Sequence, residues 1–521
     1  MGDVATVIRD AYAVDGAALD LGRAVHDGVL LPDATVQIAL SMVARHGLVA
    51  GATGTGKTKT LQVMAEALSA QGVPVFVADV KGDVSGIAEP GEPDGPGARR
   101  NAELGIAHEP TGFPTEYLSL GGIGPGVPIR ATVSDFGPLL LAKVLGANET
   151  QEASLALVFH LADERGLPLL DLADLRALLT HLSSKEGKAE LEGLGGVSKA
   201  TIGVLLRNLL ALETGGGTEF FGEPQFDVAD LMRTAPDGRG IVSCLELPAV
   251  QDKPRLWSTV LMWLVAELFE TLPEAGDLPK PKLVFFLDEA HLLFNDASKA
   301  FVESVVQTVR LIRSKGVGVW FVTQSPRDVP ADVLGQLGGR VQHALRAFTP
   351  QDQEALAAAV KTYPTSDLYD VEELLTSTGI GEAAVTLLNE RGVPTPVVHA
   401  RLPGPRSRMS PATDVAAAAA ASPLQARYGT RVDAESAREI LARRVQEAAD
   451  DAAARQPAPP PEPAPAPAPR QRTTARRRSR PAPAPPSPAG GLGDFLDSAA
   501  GRQIQRELIR GVFGLLKKRR R

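Results

Sequence analysis

Cysteine is almost absent. The 521 residues hold one, Cys244, which excludes a disulfide framework, and no Cys/His spacing matches a structural metal site. Cys244 falls inside the apolar run 240–248, so a packed thiol in a reducing compartment is expected. Long apolar runs are missing as well: no stretch approaches the ~18 residues a membrane span needs. The start (Met1, Gly2, Asp3, Val4) lacks the basic and apolar profile of a secretory signal, so a cytoplasmic protein is expected. Met1-Gly2 with Thr6 meets an acylation pattern of only three fixed positions, which is too loose to act on. Aromatics are scarce at 5%, yet 44% of residues are hydrophobic and 22% charged. That balance belongs to a globular chain and excludes a collagen-like or wholly disordered one.

Charge is present in both signs but segregated. Residues 456–521 carry 12 Arg and 2 Lys against 2 Asp and 2 Glu, a net +10, leaving the rest at −18 within a whole-chain −8. An acidic body with a basic tail points to a tail that meets a polyanion, an acidic membrane surface or the body itself, beside the plainer reading of a solubilising tail.

Short apolar runs alternate with helical stretches, the pattern of a parallel sheet covered by helices. Residues 1–45 read as an N-terminal cap segment or strand layer. A strand at 47–50 leads into a glycine-rich turn, a helix is expected at 58–70, and an apolar run at 73–79 ends in an acid. Further strands are expected at 240–245, 283–287 and 317–323, and a helix at 253–271, where Trp257 and Trp263 suit a core better than a stacking platform. Residues 137–214 are rich in Leu and Ala (Leu169, Leu172, Leu175, Leu178 and Leu179 fall at helical spacing) and read as a helical insertion dividing the core into 46–136 and 215–405. Order is expected to end near Pro403, apart from a helical extension at 406–455 with a helix at 434–454. Residues 456–491, with 13 prolines, form an extended linker that cannot bury a core. Residues 492–521 are expected to form a basic amphipathic helix, with Ile504, Leu508, Val512 and Leu515 on one stripe.

Gly51, Ala52, Thr53, Gly54, Thr55, Gly56, Lys57 and Thr58 complete the pattern G-x-x-x-x-G-K-[ST]. Its glycines let backbone amides turn inward onto phosphates, and the next helix points its positive end at the same anion. Lys57 reaches the terminal phosphates, and the Thr58 hydroxyl takes one Mg²⁺ position. ATP and Mg²⁺ are the cofactors this implies. A second strand ends in Asp288-Glu289, where Asp288 suits the metal and Glu289 a general base for the attacking water. A third ends in Gln324, placed to sense the terminal phosphate or the water, or simply to close a turn. Arg310 and Arg313, and later Arg340 and Arg346, are candidates for a cation offered to a neighbouring subunit's nucleotide. Asp79, Lys81 and Asp83 close an early strand, either beside the nucleotide or as an ordinary turn.

With those residues in view, the chain resembles the HerA-like ATPases, relatives of the FtsK DNA pumps in the RecA-like P-loop class. The resemblance rests on GATGTGKT (51–58), VADVKGD (77–83), IRATVSDFGPLLLAKVLGANETQEASLALVF (129–159), FFGEP (220–224), FLDEAH (286–291), VTQSP (322–326) and the closing SAAGRQIQRELIRGVFGLL (498–516). The phosphate loop is generic, whereas 129–159 and the tail point to a stand-alone bacterial branch. The resemblance implies a RecA-like α/β core, a ring usually of six subunits, and ATP hydrolysis coupled to pulling on DNA. It also places Arg313, eleven residues before Gln324, where such chains carry an arginine near the nucleotide. HerA proteins that process DNA ends carry an N-terminal barrel; about 45 residues before the loop are too few for one, so a nuclease partner is not implied.

Three functions follow: a DNA helicase or translocase, an ATPase that moves or remodels protein, and a nucleotide-gated scaffold without motor activity. An intact Glu289 speaks against the scaffold. Contact of the C-terminal helix with a membrane surface stays open beside contact with DNA.

Overall fold

The computed structural model describes residues 2–192, 196–294 and 299–454. Its strands, in chain order, are β1 (Ala18–His26), β2 (Val29–Ala39), β3 (Gly47–Ala50), β4 (Val75–Asp79), β5 (Thr115–Leu120), β6 (Val127–Ile129), β7 (Val242–Glu246), β8 (Leu283–Leu287), β9 (Val317–Thr323), β10 (Gly339–Gln342), β11 (Glu382–Thr386) and β12 (Val398–Arg401). They form one sheet in the order β2-β1-β12-β11-β10-β3-β9-β8-β4-β7-β5-β6. From β10 to β6 every pairing is parallel; β11, β12, β1 and β2 continue the sheet antiparallel.

The central strands β3, β4, β7, β8 and β9 are buried at every position, as strands covered on both faces must be. Alternation along each strand feeds two cores. Phe76, Ala78, Phe285 and Leu287 point into one, and Val75, Val77, Val284 and Phe286 into the other. The first core holds Trp257 and Trp263 on the helix Pro254–Thr271, the latter beside Phe136 and Phe220. The second holds Leu61, Met64 and Leu68 of the helix Lys57–Ala70, and Cys244, whose thiol is buried.

The segment expected as an N-terminal cap supplies β1 and β2. It is tied in by Tyr12, whose hydroxyl donates to the carbonyls of Val385 (2.9 Å) and Pro396 (2.7 Å). The helical stretch starts at Val133 and runs through the helices Val133–Leu145, Glu149–Glu164, Leu172–Leu182, Lys185–Glu192 and Lys199–Leu212. Capping boxes at Asn148/Gln151 and Asp171/Asp174 start two of them, each satisfying amides a helix leaves unpaired. Leu169, Leu172, Leu175, Leu178 and Leu179 are all buried.

Order does not end near Pro403. Buried Glu66 accepts from the amides of Arg406 (2.9 Å) and Ser407 (3.0 Å), Arg408 reaches Glu89 (2.8 Å), and fully buried Tyr428 donates to Asp230 (2.7 Å). These partners are distant in sequence, so a local window full of alanine and proline does not reveal them. One compact unit covers residues 1–441. The last described helix is Ala437–Ala454, and the expected linker 456–491 and basic helix 492–521 lie outside the described residues. No helix among the described residues is long and apolar enough to cross a membrane.

Candidate active site

The loop 51–58 leaves the carboxyl end of β3, between β9 and β10. Its start is pinned to the strands on either side: the Gly51 amide donates to the Thr323 carbonyl (3.2 Å) and the Ala52 amide to the Ala344 carbonyl (2.9 Å). Gly51, Gly54 and Gly56 take φ of 151°, 82° and 114°, where a side chain is strained. At Gly51 a Cβ would also sit 2.5 Å from His343 Cβ. Thr55 caps the turn internally, its hydroxyl donating to Ala52 (2.7 Å), while its own carbonyl accepts from the Gly381 amide (3.0 Å). The Lys57 ammonium is folded onto the loop, donating to the carbonyls of Gly51 (2.6 Å) and Ala52 (3.1 Å). Burial pulls its pKa down, opposed by the charges of Asp288 and Glu289. Thr58 follows in the first turn of the helix, half-buried.

Beneath the loop lies His343, fully buried, with Nε2 2.9 Å from the Thr60 hydroxyl. Burial holds its pKa down to about 4, so the ring fills the space as a neutral group.

Asp288 and Glu289 follow the end of β8. β9 separates β8 from β3, so the acid pair and the phosphate loop face each other across the tip of an intervening strand, and Gln324 stands exposed on that tip. Its turn is built by Asp328, which accepts from the Thr323 hydroxyl (2.6 Å) and the Ser325 amide (2.9 Å). Asp288 is buried, and burial, then the neighbouring Glu289 charge, pushes its pKa up to about 7. It accepts from the Glu289 amide (2.8 Å). Glu289 has φ 50°, an uncommon geometry for a residue with a side chain. Its carboxylate meets the Lys81 ammonium at 2.8 Å and His291 Nδ1 at 3.4 Å. Burial pushes Glu289 up, but Lys81, together with the charges of His291 and Lys57, holds the carboxyl below its ordinary range.

Among the described residues no group of three or more His, Cys, Asp or Glu side chains gathers as a metal cage. One buried carboxyl and one threonine hydroxyl beside a phosphate loop suit a hard cation that shares its remaining sites with phosphate oxygens and water.

The arginines divide. Arg346 lies at the loop, donating to the Thr53 carbonyl (3.3 Å). Arg313 comes just before β9, whereas Gln324 comes just after it. Seven strand residues separate them by about 20 Å, so Arg313 stands at the edge of the sheet opposite its own phosphate loop. There it lines a cavity of about 470 Å³ with Arg45, Arg310, Arg340 and the buried His46, and no carboxylate is among the lining residues. Arg340 is braced by the Thr362 carbonyl (2.7 Å) and the Tyr363 ring. Asp277 lies 3.9 Å from Arg313.

Sequence reasoning missed His343 and left Lys81 open between a place beside the nucleotide and an ordinary turn. His343 carries no local motif; only the parallel register of β10 with β3, Gln342 opposite Ala50, sets it under the loop. Lys81 had a signal in its place two residues beyond the strand-ending Asp79, but its partner depends on which strand lies alongside.

The sequence profile described as Helicase HerA-like C-terminal matches residues 27–521. No curated protein matches. Among solved structures, the bacterial conjugative coupling protein TrwBdeltaN70 in its unbound monoclinic form is similar with a TM-score of 0.50 and 14% identity, over 78% of this chain and 93% of that one. The plasmid coupling protein TrwB in complex with ADP and Mg²⁺ gives 0.49 at 14% identity, over 77% and 93%. VirB4 of Thermoanaerobacter pseudethanolicus gives 0.48 at 16% identity, over 75% and 96%. At these identities the likeness to TrwBdeltaN70 is one of fold: a P-loop α/β core with a large, mostly parallel sheet.

Proposed function

The chain belongs to the Helicase HerA-like C-terminal family, and from that premise we propose that it is an ATP-hydrolysing, ring-forming motor that acts on DNA. The observation that carries this reading is the split between its two cationic sites. A phosphate loop with an acid pair occupies one edge of the sheet, and an arginine-lined cavity occupies the other. A molecule whose Arg310, Arg313 and Arg340 stand at the far edge from its own phosphate loop can offer them to a neighbour's nucleotide, and a closed ring of copies satisfies every site at once.

In this reading the loop amides and Lys57 bind the phosphates of ATP, and Thr58 and Asp288 hold Mg²⁺. When bound, the metal neutralises phosphate charge and fixes the terminal group. Glu289 takes the proton from the attacking water as it closes on the terminal phosphorus. Gln324, at the tip between loop and base, hydrogen-bonds the water or the phosphate. Arg313, from the adjacent copy, stabilises charge in the transition state. The basic tail, net +10 over residues 456–521, supplies the electrostatic attraction to DNA.

Two measurements test it. ATP turnover with and without double- and single-stranded DNA separates a DNA motor, which DNA stimulates, from an ATPase that moves protein, which is indifferent to it. Mixing Arg313→Ala with Lys57→Ala subunits, each inactive alone, restores part of the activity if sites are shared. Full activity from a monomer contradicts the ring.

A further inference from the structure

Glu289 has an ion-pair partner that the role of general base does not require. The Lys81 ammonium lies 2.8 Å from one of its carboxylate oxygens, and His291 Nδ1 lies 3.4 Å from the other. Strand register explains the pairing. β4 and β8 run parallel with Ala78 opposite Leu287, so Asp79 and Asp288 end the two strands side by side, and Lys81 and Glu289 leave the same edge just beyond them.

The loop that carries Lys81 is held firmly. Buried Asp79 accepts from four consecutive amides: Gly82 (2.7 Å), Asp83 (3.1 Å), Val84 (2.8 Å) and Ser85 (3.1 Å). That winds the backbone around one carboxylate. Lys59, from the phosphate-loop helix, donates to the Asp83 carbonyl (3.3 Å) and to the Met409 carbonyl (2.7 Å). Against this fixed backbone the Lys81 side chain is about half exposed, while that of Glu289 is only 12% exposed. The carboxylate is therefore placed by the fold, and the solvent-accessible partner is the lysine.

We propose that Lys81 is a positioning residue that restrains Glu289, holding its carboxylate in an ion pair so that basal ATP turnover stays low until the lysine is drawn away. This rests on the reading of Glu289 as the general base. The chemistry is simple. A carboxylate oxygen engaged by an ammonium at 2.8 Å is occupied by that contact and turned toward the lysine. Moving one flexible, solvent-accessible side chain frees it without disturbing the strand or the phosphate loop. Asp79, not Lys81, shapes the loop, so removing the ammonium leaves the local backbone intact.

Steady-state ATP turnover of the full-length chain, without nucleic acid, tests the restraint in four proteins: wild type, Lys81→Ala, Lys81→Arg and Glu289→Gln. Lys81→Ala is expected to raise kcat by about threefold or more while KM for ATP stays within about twofold, because the base is released and the phosphate contacts are untouched. Lys81→Arg, which keeps the ion pair, is expected to hold the wild-type rate. An unchanged kcat in Lys81→Ala shows a merely structural pair and overturns the restraint. A lowered kcat shows that the ammonium assists the reaction and overturns it as well. If Glu289→Gln turns over at the wild-type rate, the base assignment falls and the restraint falls with it. If Glu289→Gln is inactive while Lys81→Ala matches wild type, only the restraint falls.

Discussion

The Lys57 ammonium lies 2.6 Å from the carbonyl oxygen of Gly51, the first residue of its own loop. In the proposed role as phosphate ligand, this cation exchanges its bonds to the loop's carbonyls for charged ones when nucleotide binds. Replacing Lys57 with alanine removes the charge-assisted contact. We expect nucleotide affinity to drop by about 2 kcal/mol, roughly thirtyfold. Titration with a fluorescent ATP analogue measures it, and an unchanged Kd contradicts the assignment.

Glu289→Gln keeps the shape and hydrogen bonding of the side chain and removes the proposed base. ATP should still bind, and hydrolysis should fall by about a hundredfold to ten-thousandfold. Single-turnover hydrolysis beside a binding measurement separates the two effects.

Asp288 titrates near pH 7, because burial and then Glu289 raise its carboxyl to about 7. The raised value means that the proton is retained as pH falls through 7, and a protonated carboxyl does not hold Mg²⁺. Half-saturating Mg²⁺ for ATP turnover should therefore rise as pH drops from 8 toward 6. Asp288→Asn should remove that dependence along with most of the activity. A flat Mg²⁺ requirement across this range speaks against Asp288 as the metal ligand.

Glu66 organises the chain beyond residue 403. It accepts from the amides of Arg406 and Ser407 and from the Ser407 hydroxyl (2.5 Å). Glu66→Ala leaves buried donors unmatched and should cost about 2 to 4 kcal/mol of stability, read from denaturant unfolding. Truncation after Pro403 should fail to give a soluble fold, because Tyr428 and its polar contacts are lost with it.

Truncation after Ala454 is expected to behave differently. It removes the +10 segment and none of the nucleotide residues, so basal ATP hydrolysis should persist. DNA affinity should weaken, and its dependence on salt should flatten as fewer counterions are released. Binding measured at two salt concentrations for both lengths decides it; identical slopes show that the tail does not touch DNA. Loss of the oligomer on truncation instead favours the stripe Ile504, Leu508, Val512 and Leu515 docking on protein.

The amino-acid sequence alone determined what depends on neighbours along the chain. The run 51–58 folds as a phosphate loop because glycine positions and a following helix are local features. The apolar runs before Asp79, Asp288 and Gln324 become strands because each is short and continuously apolar, and the helical stretch after residue 133 follows from its leucine spacing. Tertiary structure decided whatever depends on which segments become neighbours. Strand order set β9 between loop and acid pair, and parallel register put Lys81 against Glu289 and His343 beneath the loop. The direction of β9 carried Arg313 to the edge away from its own nucleotide residues. The segment after residue 403, poor in local signal, is held by Glu66, Glu89 and Asp230, more than 190 residues upstream of their partners. Pairing across such separations is settled by the packing of the whole sheet, since local periodicity says which face a residue occupies but not what faces it.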